Sequence, residues 1–204
     1  MSPSSIYESA QHGALRQGEI LSGLVHSSLT ETSAVEYLKS RDPNRDYQIS
    51  LFPIDFSVVL SQDCDLEQEH QSRTENVATG TLPFVLFAIA AVAEEFRRDN
   101  TLKSRELWKQ FCNNKMERYQ YLAAIDPTVD AAATGIPALG IDFKRYLTIP
   151  TELVYVQVQN GVTRRARLRM PFAEHLSDRF FAYHARIALP APHFARSEAD
   201  QDKR

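Results

Sequence analysis

The chain has 204 residues, 43% of them hydrophobic and 24% charged, with a formal net charge of −3. That length suits one substantial core, and the slightly acidic balance excludes a uniformly basic nucleic-acid binder while leaving room for a local basic patch. Two cysteines, Cys64 and Cys112, make neither a disulfide framework nor a zinc-ribbon spacing and are expected as reduced thiols in a cytoplasm.

Met1 to Gln11 is polar and lacks the apolar core of a secretory leader. The longest apolar run, Leu82 to Ala93, falls short of the roughly 20 residues that a spanning helix needs, so a cytoplasmic protein without membrane contact is expected. Residues 1–16 read as an N-terminal tail, 17–194 as a single α+β domain with a helical insertion at about 83–118, and 195–204 as a disordered tail.

In chain order, Gln17 to Leu21 reads as a strand and Ser33 to Arg41 as a short helix stopped by Asp42-Pro43-Asn44. Tyr47–Leu51 and Phe56–Leu60 are strand-like, separated by Pro53, and Glu67 to Gly80 reads as a polar loop. Two helices are expected from Pro83 to Arg98 and from Thr101 to Arg118. Tyr119–Ile125, Ile141–Ile149, Leu153–Gln159 and Thr163–Met170 read as strands, with Asn160-Gly161 as the turn of a hairpin. Pro171 opens a closing helix to about Ile187, with an apolar stripe of Phe172, Leu176, Phe180 and Tyr183. The expected fold is α+β: a largely antiparallel, barrel-like sheet with an inserted helical pair and a C-terminal helix.

Two stretches carry candidate chemistry. Asp63-Cys64-Asp65 follows the apolar run Val58-Val59-Leu60, placing a thiol between carboxylates on a turn. Cys64 with Asp63 and Asp65 forms a candidate catalytic set. Joined by His26 or His70, these residues would be candidate ligands of a divalent ion, although neither the metal nor any cofactor is specified by spacing. The alternative is that Asp63 and Asp65 satisfy turn or cap N–H groups and Cys64 packs inward. The second stretch is Arg164-Arg165-Ala166-Arg167-Leu168-Arg169. On a strand, Arg165, Arg167 and Arg169 share a face that matches a phosphate backbone or an acidic partner, and Arg179 and Arg186 extend it. The alternative is a charged face paired with the chain's own carboxylates. Tyr119 and Tyr121 suit base stacking or core filling. Glu174-His175 and His184 lack a metal-ligand spacing.

Several segments together, Gln17-Gly18-Glu19-Ile20, Val58 to Leu66 with its Ser61-Gln62-Asp63-Cys64-Asp65-Leu66, Glu117 to Leu122, Ile141 to Arg145 and the stretch from Arg167 to Pro190, resemble an uncharacterised bacterial protein family with a Ser-Gln-x-Cys-Asp-Leu motif. That resemblance implies no particular activity. Gly18-Glu19-Ile20 followed by Val58-Val59-Leu60-Ser61 is also similar to the MazF/PemK toxins, small SH3-like barrels that cleave RNA without metal. Phe56-Ser57 stand where those toxins carry Arg-Pro, so this resemblance implies the barrel rather than the ribonuclease.

The leading expectation is a bacterial accessory protein that binds nucleic acid or a protein partner, in a toxin–antitoxin or anti-phage module. The alternatives are a cysteine-centred enzyme or metal-binding protein using Asp63-Cys64-Asp65, and a structural or oligomerising subunit.

Overall fold

The apolar run that reads as a helix from Pro83 is instead a central strand. A computed structural model describes residues 6–77, 82–98 and 102–185. In chain order the elements are β1 (Tyr7–Ser9), β2 (Glu19–Leu29), α1 (Glu31–Ser40), β3 (Ile49–Val59), α2 (Asp63–Glu75), β4 (Phe84–Val92) and α3 (Ala93–Arg98). There follow α4 (Arg105–Cys112), β5 (Tyr119–Leu122), β6 (Leu139–Pro150), α5 (Thr151–Gln159), β7 (Thr163–Leu168) and α6 (Phe172–His184). The seven strands form one sheet, ordered β1-β7-β2-β3-β4-β6-β5, with every neighbouring pair antiparallel.

Strand β4 shows why the sequence misleads. Val85 and Phe87 pack on one face with Leu21, Val59 and Ile149, under Leu66 of α2 and Val154 of α5. Ala88 and Ala90 pack on the other with Ile20, Val58 and Ile141, under Leu176 and Phe180 of α6. A strand covered on both faces needs no polar positions, so it shows no two-residue period. The helical pair is present but shorter than the expected 83–118. It consists of α3 and α4, held by a satellite core of Ala93, Leu102, Phe111 and Tyr119.

Two further expectations are corrected. The polar stretch after Glu67 is not a loop: α2 runs to Glu75 and ends at Asn76 in the left-handed conformation. The expected strand Leu153–Gln159 is helix α5, so there is no Asn160-Gly161 hairpin. Asn160 caps α5, and Gly161 takes a φ of 124°, which its missing Cβ permits. Strands Tyr47–Leu51 and Phe56–Leu60 merge into β3 through Pro53. The proline is tolerated because β4 pairs only with Phe56–Val59, leaving that edge open.

The sheet curls without closing, so it is barrel-like in curvature only. No ladder joins the edge strands β1 and β5. They meet through side chains: Tyr7 Oη donates to the Ala123 carbonyl (2.9 Å), just past β5, and Ser9 Oγ donates to that of Val129 (2.8 Å). Residues expected in the N-terminal tail thus belong to the fold, with Tyr7 and Leu15 buried. The expected tail at 195–204 lies outside the described residues.

One feature departs from the compact core. β7 pairs with β2 only at Glu19–Ser22, so Leu24–Leu29 of β2 and Ile49–Ile54 of β3 continue beyond the sheet as a two-stranded arm tipped by α1.

Phe87→Ala is expected to lower unfolding free energy by about 3–5 kcal/mol. Phe84→Ala, at the exposed start of the same strand, should cost less than about 1 kcal/mol in urea denaturation. Equal losses would contradict the two-faced packing of β4.

Candidate functional site

Asp63 is the first residue of α2, and its carboxylate is fully engaged. Arg16 Nε donates to Oδ1 (3.0 Å) and Arg16 Nη2 donates to Oδ2. The Gln17 N–H donates to Oδ1 (2.9 Å), and Arg167 Nη2, from β7, reaches Oδ2 (3.2 Å). Burial alone would push the Asp63 carboxyl up, but the Arg16 and Gln17 hydrogen bonds and the Arg167 charge outweigh it and hold it below the usual carboxylate range. Gly18, with φ of 75°, makes the adjoining turn; a Cβ there would lie 2.7 Å from Ala173 Cβ of α6. Asp63 thus ties the N-terminal loop, α2 and β7 together.

Each candidate arginine of β7 has a carboxylate partner. The β2–β7 register shifts after the Ile20–Ala166 pair, so Arg165 occupies a bulge instead of sharing a face with Arg167 and Arg169. Arg164 pairs with buried Glu19 through two nitrogens and donates to the Gly13 and Ala14 carbonyls. Arg165 grips Asp130 with Nε to Oδ1 (2.7 Å) and Nη2 to Oδ2 (2.6 Å), beside Thr134 and the Gly135 carbonyl. The Arg165 hydrogen bonds outweigh burial and hold the Asp130 carboxyl at about 2. Arg167 also meets Glu8 (3.5 Å), and the exposed Arg169 reaches the same carboxylate at 3.8 Å. The continuous arginine face expected from the sequence is therefore a set of internal ion pairs. Arg186 lies outside the described residues.

Cys64, the second residue of α2, is exposed rather than packed inward. Its thiol faces Gln62 Oε1 and Asp65 Oδ1, each at 3.7 Å. A groove of about 470 Å³ beside it is lined by Asp63, Glu174, Ser177 and Asp178 among others. Among the described residues these supply carboxylates and a hydroxyl to the thiol, but no histidine base. His26 stacks on Phe52 in the arm and His70 on Tyr155, and neither lines this groove. Among the described residues no group of three His, Cys, Asp or Glu is placed to hold a metal ion. Tyr119 is core, against Phe96 and Phe111, and His184 bonds the Phe143 carbonyl (2.8 Å).

A site the sequence reading missed lies between the arm and α5. Gln157 uses its side-chain amide as a neighbouring strand would: Oε1 accepts from the Val25 N–H (2.8 Å) and Nε2 donates to the Val25 carbonyl (3.0 Å). Alongside is a groove of about 520 Å³ lined by Val25, Leu51, Leu153, Val156 and Val162, with no charged side chain among the described residues of its lining. Leu51 is 63% exposed and Ile49, two residues along β3, is 61% exposed, with Leu29 opposite Ile49 and Leu153 and Val156 exposed on α5. The signal in the sequence was the excess of apolar residues in α5. Thr151, Val154, Tyr155 and Val158 are its inward stripe at helical spacing, so Leu153 and Val156 have no core to face.

Comparison with known families, with curated proteins and with solved structures finds no match to this chain. No helix among the described residues is long and apolar enough to cross a membrane.

Arg165→Ala, which removes the counter-charge of the buried Asp130 carboxylate and leaves it only the Ala132 and Thr134 donors, is expected to cost about 3 kcal/mol. The pH dependence follows from Asp130. A carboxyl held at about 2 in the fold and near 3.9 when unfolded adds stability above about pH 4, on the order of 2 kcal/mol, lost as pH falls toward 2. Urea denaturation from about pH 5 to about pH 2 should show that loss in the native chain and a smaller one in Arg165→Ala. A parallel pH dependence of the two would contradict it.

Proposed function

We propose that this chain is a protein-binding module that holds an apolar, uncharged segment of a partner protein in the groove between the arm and α5. The observation that carries the reading is the contiguity of Leu29, Ile49, Leu51, Leu153 and Val156 around a concave, charge-free lining. Single exposed leucines are ordinary on a protein surface, but a joined apolar patch beside a groove marks an interaction site. The groove's size falls within the range of sites that accept a few large side chains. Both arm edges are poor templates for an added strand, since Pro53 interrupts one and Gln157 covers the other at Val25. The partner therefore docks by side-chain burial rather than by extending the sheet.

Nucleic-acid binding through Arg164, Arg165, Arg167 and Arg169 has less support, because phosphates would have to displace carboxylates already in place. A cysteine-centred enzyme rests on the exposure of Cys64 beside its groove, where no histidine base lines the walls.

The test is photo-crosslinking from positions 51 and 156 of the full chain in its native host, then reconstitution with the captured protein. Leu51→Asp and Val156→Asp are expected to weaken the reconstituted complex at least about tenfold, or about 1.4 kcal/mol, with stability unchanged. Equal affinity of both variants would overturn the proposal. Concentration-dependent self-association in sedimentation, abolished by the same substitutions, would replace the foreign partner with a second copy of the chain.

A further inference from the structure

Arginines that lose contact with water in this fold are matched by carboxylates, with one exception. Arg16, Arg118, Arg164, Arg165, Arg167 and Arg179 are each buried or half-buried. The first five pair with Asp63 and Glu67, with Asp142, with Glu19, with Asp130, and with Asp63 and Glu8, respectively. Arg179, on α6, makes no ion pair among the described residues. Its acceptors are all neutral: Gln120 Oε1 (2.5 Å) for Nη1, and the Met116 (2.7 Å) and Tyr119 (3.1 Å) carbonyls for Nη2. Burial disfavours the Arg179 charge and pulls its pKa down.

A guanidinium has five N–H donors. Those three bonds leave the Arg179 Nε–H and one Nη1–H without an acceptor among the described residues. The residue borders a groove of about 390 Å³ between the segment preceding β5 and α6, with Lys115, Glu117 and Tyr183 also in its walls. Asn114, also in the lining, is committed to Tyr121, giving to its carbonyl and accepting from its N–H. Among the described residues, the lining carries two cations, Arg179 and Lys115, and the carboxylate of Glu117. A partly desolvated cation without a counter-charge is unfavourable, and an incoming anion relieves it. The open guanidinium donors match a planar or tetrahedral oxygen pair.

We propose that this groove is a binding site for an oxyanion, a carboxylate or a phosphodiester group, held by Arg179 and Lys115. It shares no lining residue with the arm groove and does not depend on the proposed partner.

The test is NMR titration of the full chain with sodium acetate and with sodium dimethyl phosphate, against sodium chloride at matched ionic strength. Arg179→Gln removes bonds that hold the Met116 and Tyr119 carbonyls and endangers folding, so the exposed Lys115→Glu is the principal variant. The expected result is saturable shifts at the Arg179 side chain and its groove neighbours with at least one organic anion, weakened at least about fivefold in Lys115→Glu; the charge reversal removes most of the attraction. Saturation by acetate alone assigns a carboxylate ligand, and by dimethyl phosphate alone a phosphodiester. Shifts that match chloride, or that persist unchanged in Lys115→Glu, would overturn the site.

Discussion

A single carboxylate joins three parts of this fold. Asp63 sits where β3 has ended and α2 begins, and it accepts from Arg16 in the N-terminal loop, from the Gln17 backbone and from Arg167 on β7. The N-terminus of a helix favours a negative charge, and two guanidinium groups reinforce it. Because β1 pairs with β7 through Leu168, Arg167 and Ala166, the same contact bears on the position of the edge strand. Glu19, at the start of β2, extends the network to Arg164.

That arrangement decides what the surface has left to offer. The arginines of β7 look like a recognition strip in the sequence, yet in the fold they offset buried or half-buried acids. Glu19 shows the cost: burial pushes its carboxyl up despite the Arg164 hydrogen bonds. What the core does not use is apolar surface on the arm and α5, and, among the described half-buried arginines, Arg179 with no carboxylate partner. These are two candidate sites of different chemistry on the same scaffold.

The legible parts of the sequence were those with an unshared pattern. The stripe of α6 packs as read, with Leu176 and Phe180 in the core and Phe172 and Tyr183 against it. The Asp42 turn also forms, its carboxylate accepting from the Asn44 N–H at 2.9 Å. Strand β4 was opaque because both its faces are covered. Helix α2 was opaque for the opposite reason: it buries Leu66, Glu69 and Ser72, a stripe with one apolar member. Its acidic first turn and Arg73 in the last turn were the available signals, and they outweigh polarity as a helix mark. Helix α5 was read as a strand because Leu153 and Val156 blurred its period, and those residues now line the candidate docking groove. The Asp63 network was not legible at all, since Arg16 and Arg167 lie 151 positions apart and meet only through the sheet order.

The most direct measurement is a double-mutant cycle on Asp63→Ala and Arg167→Ala, followed by urea denaturation. If Asp63 joins α2 to β7, the two losses should be non-additive, with a coupling of about 1–3 kcal/mol. Losses that add to within about 0.5 kcal/mol would mean that the pair is incidental and that Asp63 does not join α2 to β7.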